Sequence, residues 1–315
     1  MGSMQDEDRT ASLMTPAKLA QVASRPKAPV SPAAWLDRMA TDAGHQHVRR
    51  LGELRDELQA HAGKRDFSPL AASITRVAEA LPALDFGLLQ QKKAGLFARL
   101  AGKSNTSVAE FASQYDQIDS AAGELAEQGK ALQGKQGEQA SRTDLALLEF
   151  EVEYRAIDKI IDQGARWLQD MRNQLKAREA AAADDAARQQ LRDDAQRCEL
   201  LVSRLKALRA LSSAAQQVHQ QAQETASRRA AVVQSMQATV ARHIKDWRNR
   251  VAPLANAARD GEPPALNLEG AMDCHRDLQL CLKQAGADCG QVQAHEKALA
   301  EALEVLATHL QSAAA

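Results

Sequence analysis

The stretch that decides the fold is Phe150-Glu-Val-Glu-Tyr154-Arg-Ala-Ile157-Asp-Lys-Ile-Ile161-Asp-Gln-Gly-Ala-Arg-Trp-Leu168-Gln-Asp-Met171-Arg-Asn-Gln-Leu175. Its large apolar residues recur in steps of three and four, and the positions between them are mostly charged or amide. That is the period of a helix with one buried seam, not the alternation of a half-buried strand. The same spacing carries Val108, Phe111, Tyr115, Ile118, Ala122, Leu125 and Leu132 upstream. Downstream it carries Cys198, Leu201, Leu205 and Leu208, then Val233, Met236, Val240, Trp247 and Leu254. Such seams belong to a coiled coil or a bundle of long helices.

Composition agrees with that reading. One residue in five of the 315 is alanine, and only 3% are aromatic. Apolar residues make up 44% and charged residues 26% of the chain, too apolar for general disorder. The few β-branched and aromatic residues exclude a β-sandwich or a doubly wound sheet. A net charge of -1 offers no global field for nucleic acid, and few rings are left to stack bases, so nucleic acid is an unlikely partner.

Breakers mark the organisation. Pro16, Pro26, Pro29 and Pro32 crowd the start, so 1–30 reads as a disordered arm. Ser31-Pro32 and Ser68-Pro69 each read as an N-cap followed by proline at the first helical position. Pro69 and Pro82 bracket a short helix, and Ser107 with Glu110 fits a capping box. No proline follows until Pro253, and no glycine lies between Gly164 and Gly261. A helix from Arg188 to Val251 would run about 95 Å. It would need antiparallel partners, and helices around 107–133 and 144–180 are the candidates. The seam thins between Leu211 and Ala231, where Ser212, Gln217, His219 and Arg229 lie near it. Either the helix continues there with a polar core or it turns. The alanine run 180–187 is a second candidate turn. Asp260-Gly-Glu-Pro-Pro264 is a loop, and Gly261 and Gly286 read as helix stops.

The expected fold is therefore all-α, an elongated antiparallel bundle of long coiled-coil-like helices with a short C-terminal helix pair, about 266–285 and 289–311. The expected division is 1–30 arm, 31–103 short helices, 104–259 long-helix bundle and 265–313 C-terminal hairpin. The four cysteines make no disulfide framework, no apolar run could span a membrane, and the polar start is unlike a signal peptide. The expected location is a reducing cytoplasm, with the inner-membrane surface as an extension. Met1-Gly-Ser-Met4 reads equally as an expression scar or a natural start, and Asp6 argues against myristoylation of Gly2.

Chemistry-bearing motifs are sparse. The glycine-rich phosphate loops, the zinc-protease and thiol-redox pairs and the serine-nucleophile elbow are all missing, so no catalytic residue is assigned and no enzyme activity or cofactor is expected. Cys274, His275, Cys281, Cys289 and His295 form the one weak metal candidate. None of their spacings is the close pair that structural zinc uses, and free cysteine commonly serves as a small seam residue. His45 and His47 diverge on a helix, and His219 and His243 read as partly buried seam histidines. The most distinctive segment is Gln90-Gln-Lys92-Lys93-Ala-Gly95-Leu96-Phe97-Ala-Arg99-Leu100-Ala-Gly-Lys103. Lys92, Lys93, Arg99 and Lys103 beside Leu96 and Phe97 would suit an anionic membrane surface, or docking onto the bundle through Phe97. From Arg188 to Asp260 there are 13 Lys or Arg against 6 Asp or Glu, a local excess of seven. That excess suits a solvated face or an acidic partner.

In its order of features the chain resembles the toxic anion resistance (tellurite-resistance, TelA-like) family. The resemblance rests on Lys92-Lys93-Ala94-Gly95-Leu96-Phe97-Ala98-Arg99-Leu100 ahead of a helix with Phe111, Tyr115 and Ile118, and on Thr239-Val-Ala-Arg-His-Ile-Lys-Asp-Trp247-Arg-Asn-Arg250. It covers roughly 50–255. The family's proline before that tryptophan and its asparagine run are replaced here. The resemblance implies a non-enzymatic helical protein of stress response, and no catalytic residues are carried over. The function expected is a scaffold of toxic-anion or envelope-stress resistance that binds a protein partner or the membrane surface, with self-association through helices as a variant. An unrelated coiled-coil adaptor or membrane-bending protein, and a thiol-dependent anion-handling or metal-binding protein, are the alternatives.

Overall fold

The computed structural model describes residues 32–62, 66–89, 103–181, 184–260 and 267–314. These residues are all-α, long helices packed against one another with no strand among them. In chain order they are α1 (Pro32–Asp42), α2 (His45–Ala62) and α3 (Ser68–Ala80). Two 3-10 turns come next, Leu81–Ala83 and Phe86–Leu89. Then come α4 (Lys103–Ala181), α5 (Asp185–Ser235), a π-helical turn (Met236–Val240), α6 (Ala241–Arg259) and α7 (Leu268–Ala314).

Several expected boundaries move. The helices expected at 107–133 and 144–180 are one helix, α4, 79 residues long. Gly134 and Gly137 lie between them with open space on their Cβ side. Each costs a helix about 1 kcal/mol, yet neither can stop one whose seams are buried on both sides. α4 starts at Lys103, so Ser107 lies inside the helix and the expected capping box is not its start. Ser68 is likewise the first residue of α3, and its own N–H donates to Asp66 Oδ1 at 2.8 Å.

The turn between the long helices falls in the alanine run, where an aspartate caps α5. Asp184 Oδ1 accepts from the Ala187 N–H at 2.7 Å, the bond expected of an N-cap side chain. From Asp185 the helical path is unbroken to Arg259 and passes the thin seam and Pro253. The expected C-terminal hairpin is instead a single helix, α7, of 47 residues. Gly286 stops nothing there, because a glycine ends a helix by going left-handed. Among the described residues only Gly44 has a positive φ, at 73°. Gly44 makes the turn between α1 and α2.

The π turn has a sequence cause. Buried seam positions in α5 step by 4, 3, 4, 3 from Leu211 through Ala215, Val218, Ala222 and Thr225. From Met236 the steps to Val240 and Ile244 are 4 and 4, before Trp247 restores the three. An α-helix would carry that extra residue off the seam. One wide turn at 236–240 absorbs it.

The described residues form two compact units, those of 32–43 with 162–206 and those of 44–161 with 207–314. The expected boundaries at 103/104 and 259/265 are not those of these units. In the first unit, Leu36, Leu168, Met171, Cys198, Leu201 and Leu205 are buried. Arg204 donates twice to the Ala43 carbonyl, at 3.2 and 3.0 Å, and Arg197 pairs with Asp37 at 3.0 Å. In the second unit α7 packs on α2, α3 and α6. Tyr115 stacks on Trp247 with ring centroids 5.2 Å apart, and Phe86 meets Phe111 and His275 edge-on at 5.6 and 5.3 Å. His47 Nδ1 lies 2.6 Å from Glu153, which ties α2 to α4, so this histidine is not a free surface group. His45 is exposed.

Candidate functional site

Lys92, Lys93, Leu96, Phe97 and Arg99 lie outside the described residues, and Lys103 contributes only the first backbone residue of α4. The expected arm 1–30 is outside them as well. Cys274, His275, Cys281, Cys289 and His295 all fall on α7. Among the described residues no three His, Cys, Asp or Glu side chains come together as a metal site. His275 is buried and committed: its Nδ1 accepts the Trp247 indole N–H at 3.2 Å, and its Nε2 lies 3.2 Å from the Gln279 amide. Burial lowers its pKa, and a backbone hydrogen bond to Leu81 works against that shift. Cys289 is fully buried, and burial with Asp288 beside it pushes its thiol up to about 11. Burial also raises Cys281, with Arg242 opposing. Raised thiol pKa values disfavour the thiolate that ligates metals or attacks oxidants. On α7, His275, Cys281 and Cys289 lie on the packed face.

The structure gathers a different group where the α5 seam turns polar. Ser212, His219, Thr225 and Arg229 are all buried. Ser212 donates to Asp158 on α4, and Thr225 returns its hydroxyl to the Gln221 carbonyl at 2.7 Å. His219 packs edge-on against Tyr154, 5.7 Å between centroids, with Gln223 at 3.4 Å and Glu151 at 3.9 Å. Burial lowers its pKa, Glu151 opposes, and Arg155 adds to the lowering. Arg229 reaches across to α7, where its Nε donates to Glu296 at 2.7 Å. Its side chain is 5% exposed, and its Nη2 is buried without a partner.

Beside this polar stretch, α4 and α5 part to form an open cleft of about 490 Å³. Ala140, Ala226 and Ala230 keep it open, Leu147 and Leu148 line one side, and His219 and Arg229 belong to its wall. On the outside of α4, next to it, Leu145, Leu148 and Val152 are 63, 60 and 65% exposed. Their steps of three and four place them on one stripe, opposite the buried Ala146, Phe150 and Ile157.

Of this site, the sequence singled out Ser212, His219 and Arg229 as seam interruptions. It missed the outer stripe, although Leu145-Ala-Leu-Leu148 carries two interleaved apolar registers and only one of them can face the core. Comparison with models of protein families, with curated proteins and with solved structures finds no match for this chain.

Proposed function

We propose that this protein is a non-enzymatic helical scaffold that docks an amphipathic helix of a partner protein on the outer stripe of α4. The observation that carries this reading is the exposure of Leu145, Leu148 and Val152 at coiled-coil spacing on a helix whose core face is already filled. A helix laid along them would set its own 3–4 seam into theirs. Arg155 and Lys159, both exposed, continue the stripe seven residues beyond Leu148 and Val152, and Arg155 pairs with Glu151.

The biological setting we propose is toxic-anion (tellurite) or envelope stress, and its support is the sequence resemblance alone. The membrane-surface version of the scaffold would act through Lys92, Lys93 and Arg99. The test is the double substitution Leu145→Asp/Leu148→Asp in the native host. Both side chains are exposed, so the fold is expected to persist while the complex containing the protein is lost on native sizing. A complex of unchanged size would refute docking at the stripe. Unchanged tellurite tolerance in a deletion strain would remove the toxic-anion setting and leave the docking claim standing.

A further inference from the structure

We infer that residues 133–142 of α4 form a helix-to-coil strap, which opens off the polar stretch of α5 while the rest of α4 stays packed. The strap is helical in the structure, inside the 79-residue helix. Upstream of it Leu132 still packs on the core, and downstream Thr143, Ala146 and Leu147 are buried. Between those anchors no described side chain is buried. A helix of about ten residues does not hold in water by itself. This one therefore depends on the flanks that continue it.

The local sequence weakens the helix further. Gly134 and Gly137 each favour coil over helix about fivefold relative to alanine. Ser141 and Thr143 return their hydroxyls to the Gly137 and Gln139 carbonyls, at 3.2 and 2.8 Å. Such bonds compete with the helix for its own acceptors. Packing on α5 offers little in return, because the open cleft of about 490 Å³ lies along this stretch. Gln136 and Ala140 line it from α4, and Gln223, Ala226 and Ser227 from α5. Unwinding 111–125 or 150–171 would bring Phe111, Ile118, Phe150 and Ile157 into water, all of them buried. Unwinding the strap breaks helical hydrogen bonds and exposes almost no apolar surface. It also uncovers the cleft-facing side of α5. Local opening of this kind is drawn from the segments with the fewest buried contacts.

The test is amide hydrogen exchange of the full chain, read by mass spectrometry and corrected for intrinsic rates. Amides of 134–142 are expected to exchange at least about a hundredfold faster than those of 113–125 and 150–171. The double variant Gly134→Ala/Gly137→Ala then separates local opening from global unfolding. A Cβ at either position meets nothing within 4 Å, so the packing of the folded state is untouched. Each alanine should slow exchange of the strap about fivefold, and the pair about twenty-fivefold. Gln136→Gly should speed it about fivefold. In all three proteins the two flanks should keep rates that differ by much less than the strap's. Strap amides as protected as the flanks, unchanged strap rates in the double alanine variant, or an equal slowing of strap and flanks would each overturn the inference. None of these outcomes bears on the outer stripe, whose test is the Leu145/Leu148 pair.

Discussion

His275 shows how a single side chain in this protein couples packing to pH. It accepts a hydrogen bond from Trp247 on Nδ1, and burial holds its pKa below the ordinary 6.5. The unfolded chain therefore binds a proton at higher pH than the folded one. Stability is full above about 6.5 and falls as the pH drops through that value toward the folded pKa. Urea titrations at pH 7.5 and 5.5 should show the protein weaker at 5.5, with a smaller difference in His275→Gln. His219, also lowered by burial, keeps some dependence in that variant. Equal pH dependence in both proteins would contradict the role given to His275. Gly44 is the other decisive residue. Its φ of 73° is left-handed, and a Cβ there would lie 3.4 Å from Leu208. Gly44→Ala should cost about 1–2 kcal/mol in urea denaturation. No measurable change would mean that the α1–α2 turn tolerates another conformation.

At the scale of elements, helix identity was legible wherever large apolar residues kept the 3–4 period, as from Phe111 to Leu125 and from Phe150 to Met171. Helix length was harder to read, because glycine and loop-like composition mark where a helix can end, not where it must. Gly134, Gly137 and Gly286 are all passed through, since the seams on either side of each are buried. The break at 182–184 was visible only as an alanine run, and the capping carboxylate of Asp184 decides it. The π turn coincides with two successive steps of four, from Met236 through Val240 to Ile244. Deleting Ala238, which is exposed, would return the seam to alternating steps of four and three. That deletion should leave a cooperative melt close to the parent's, whereas deleting Gln220 inside the regular seam should lower it sharply. A loss at 238 as large as at 220 would contradict this explanation of the register.

For the whole molecule, the all-α architecture was readable because it depends on averages over many residues. The site was readable only in part. Arg229 announced itself as a polar residue near a seam, but its partner Glu296 lies 67 positions away on another helix, and no periodicity reports such a pairing. Cys281 and Cys289, weak metal candidates by residue type, pack on the core as free cysteine in a helix seam does. Docking of a partner helix on the outer stripe of α4 is the proposal from which the protein's role as a scaffold stems. A photo-crosslinking amino acid placed singly at Leu145, Leu148 and Val152 probes that stripe, with Leu280, 62% exposed on α7, as the control position. Docking there should give one discrete adduct in the native host, shared by the three α4 positions and absent at 280. Equal labelling at 280, or no discrete adduct at any α4 position, would rule it out.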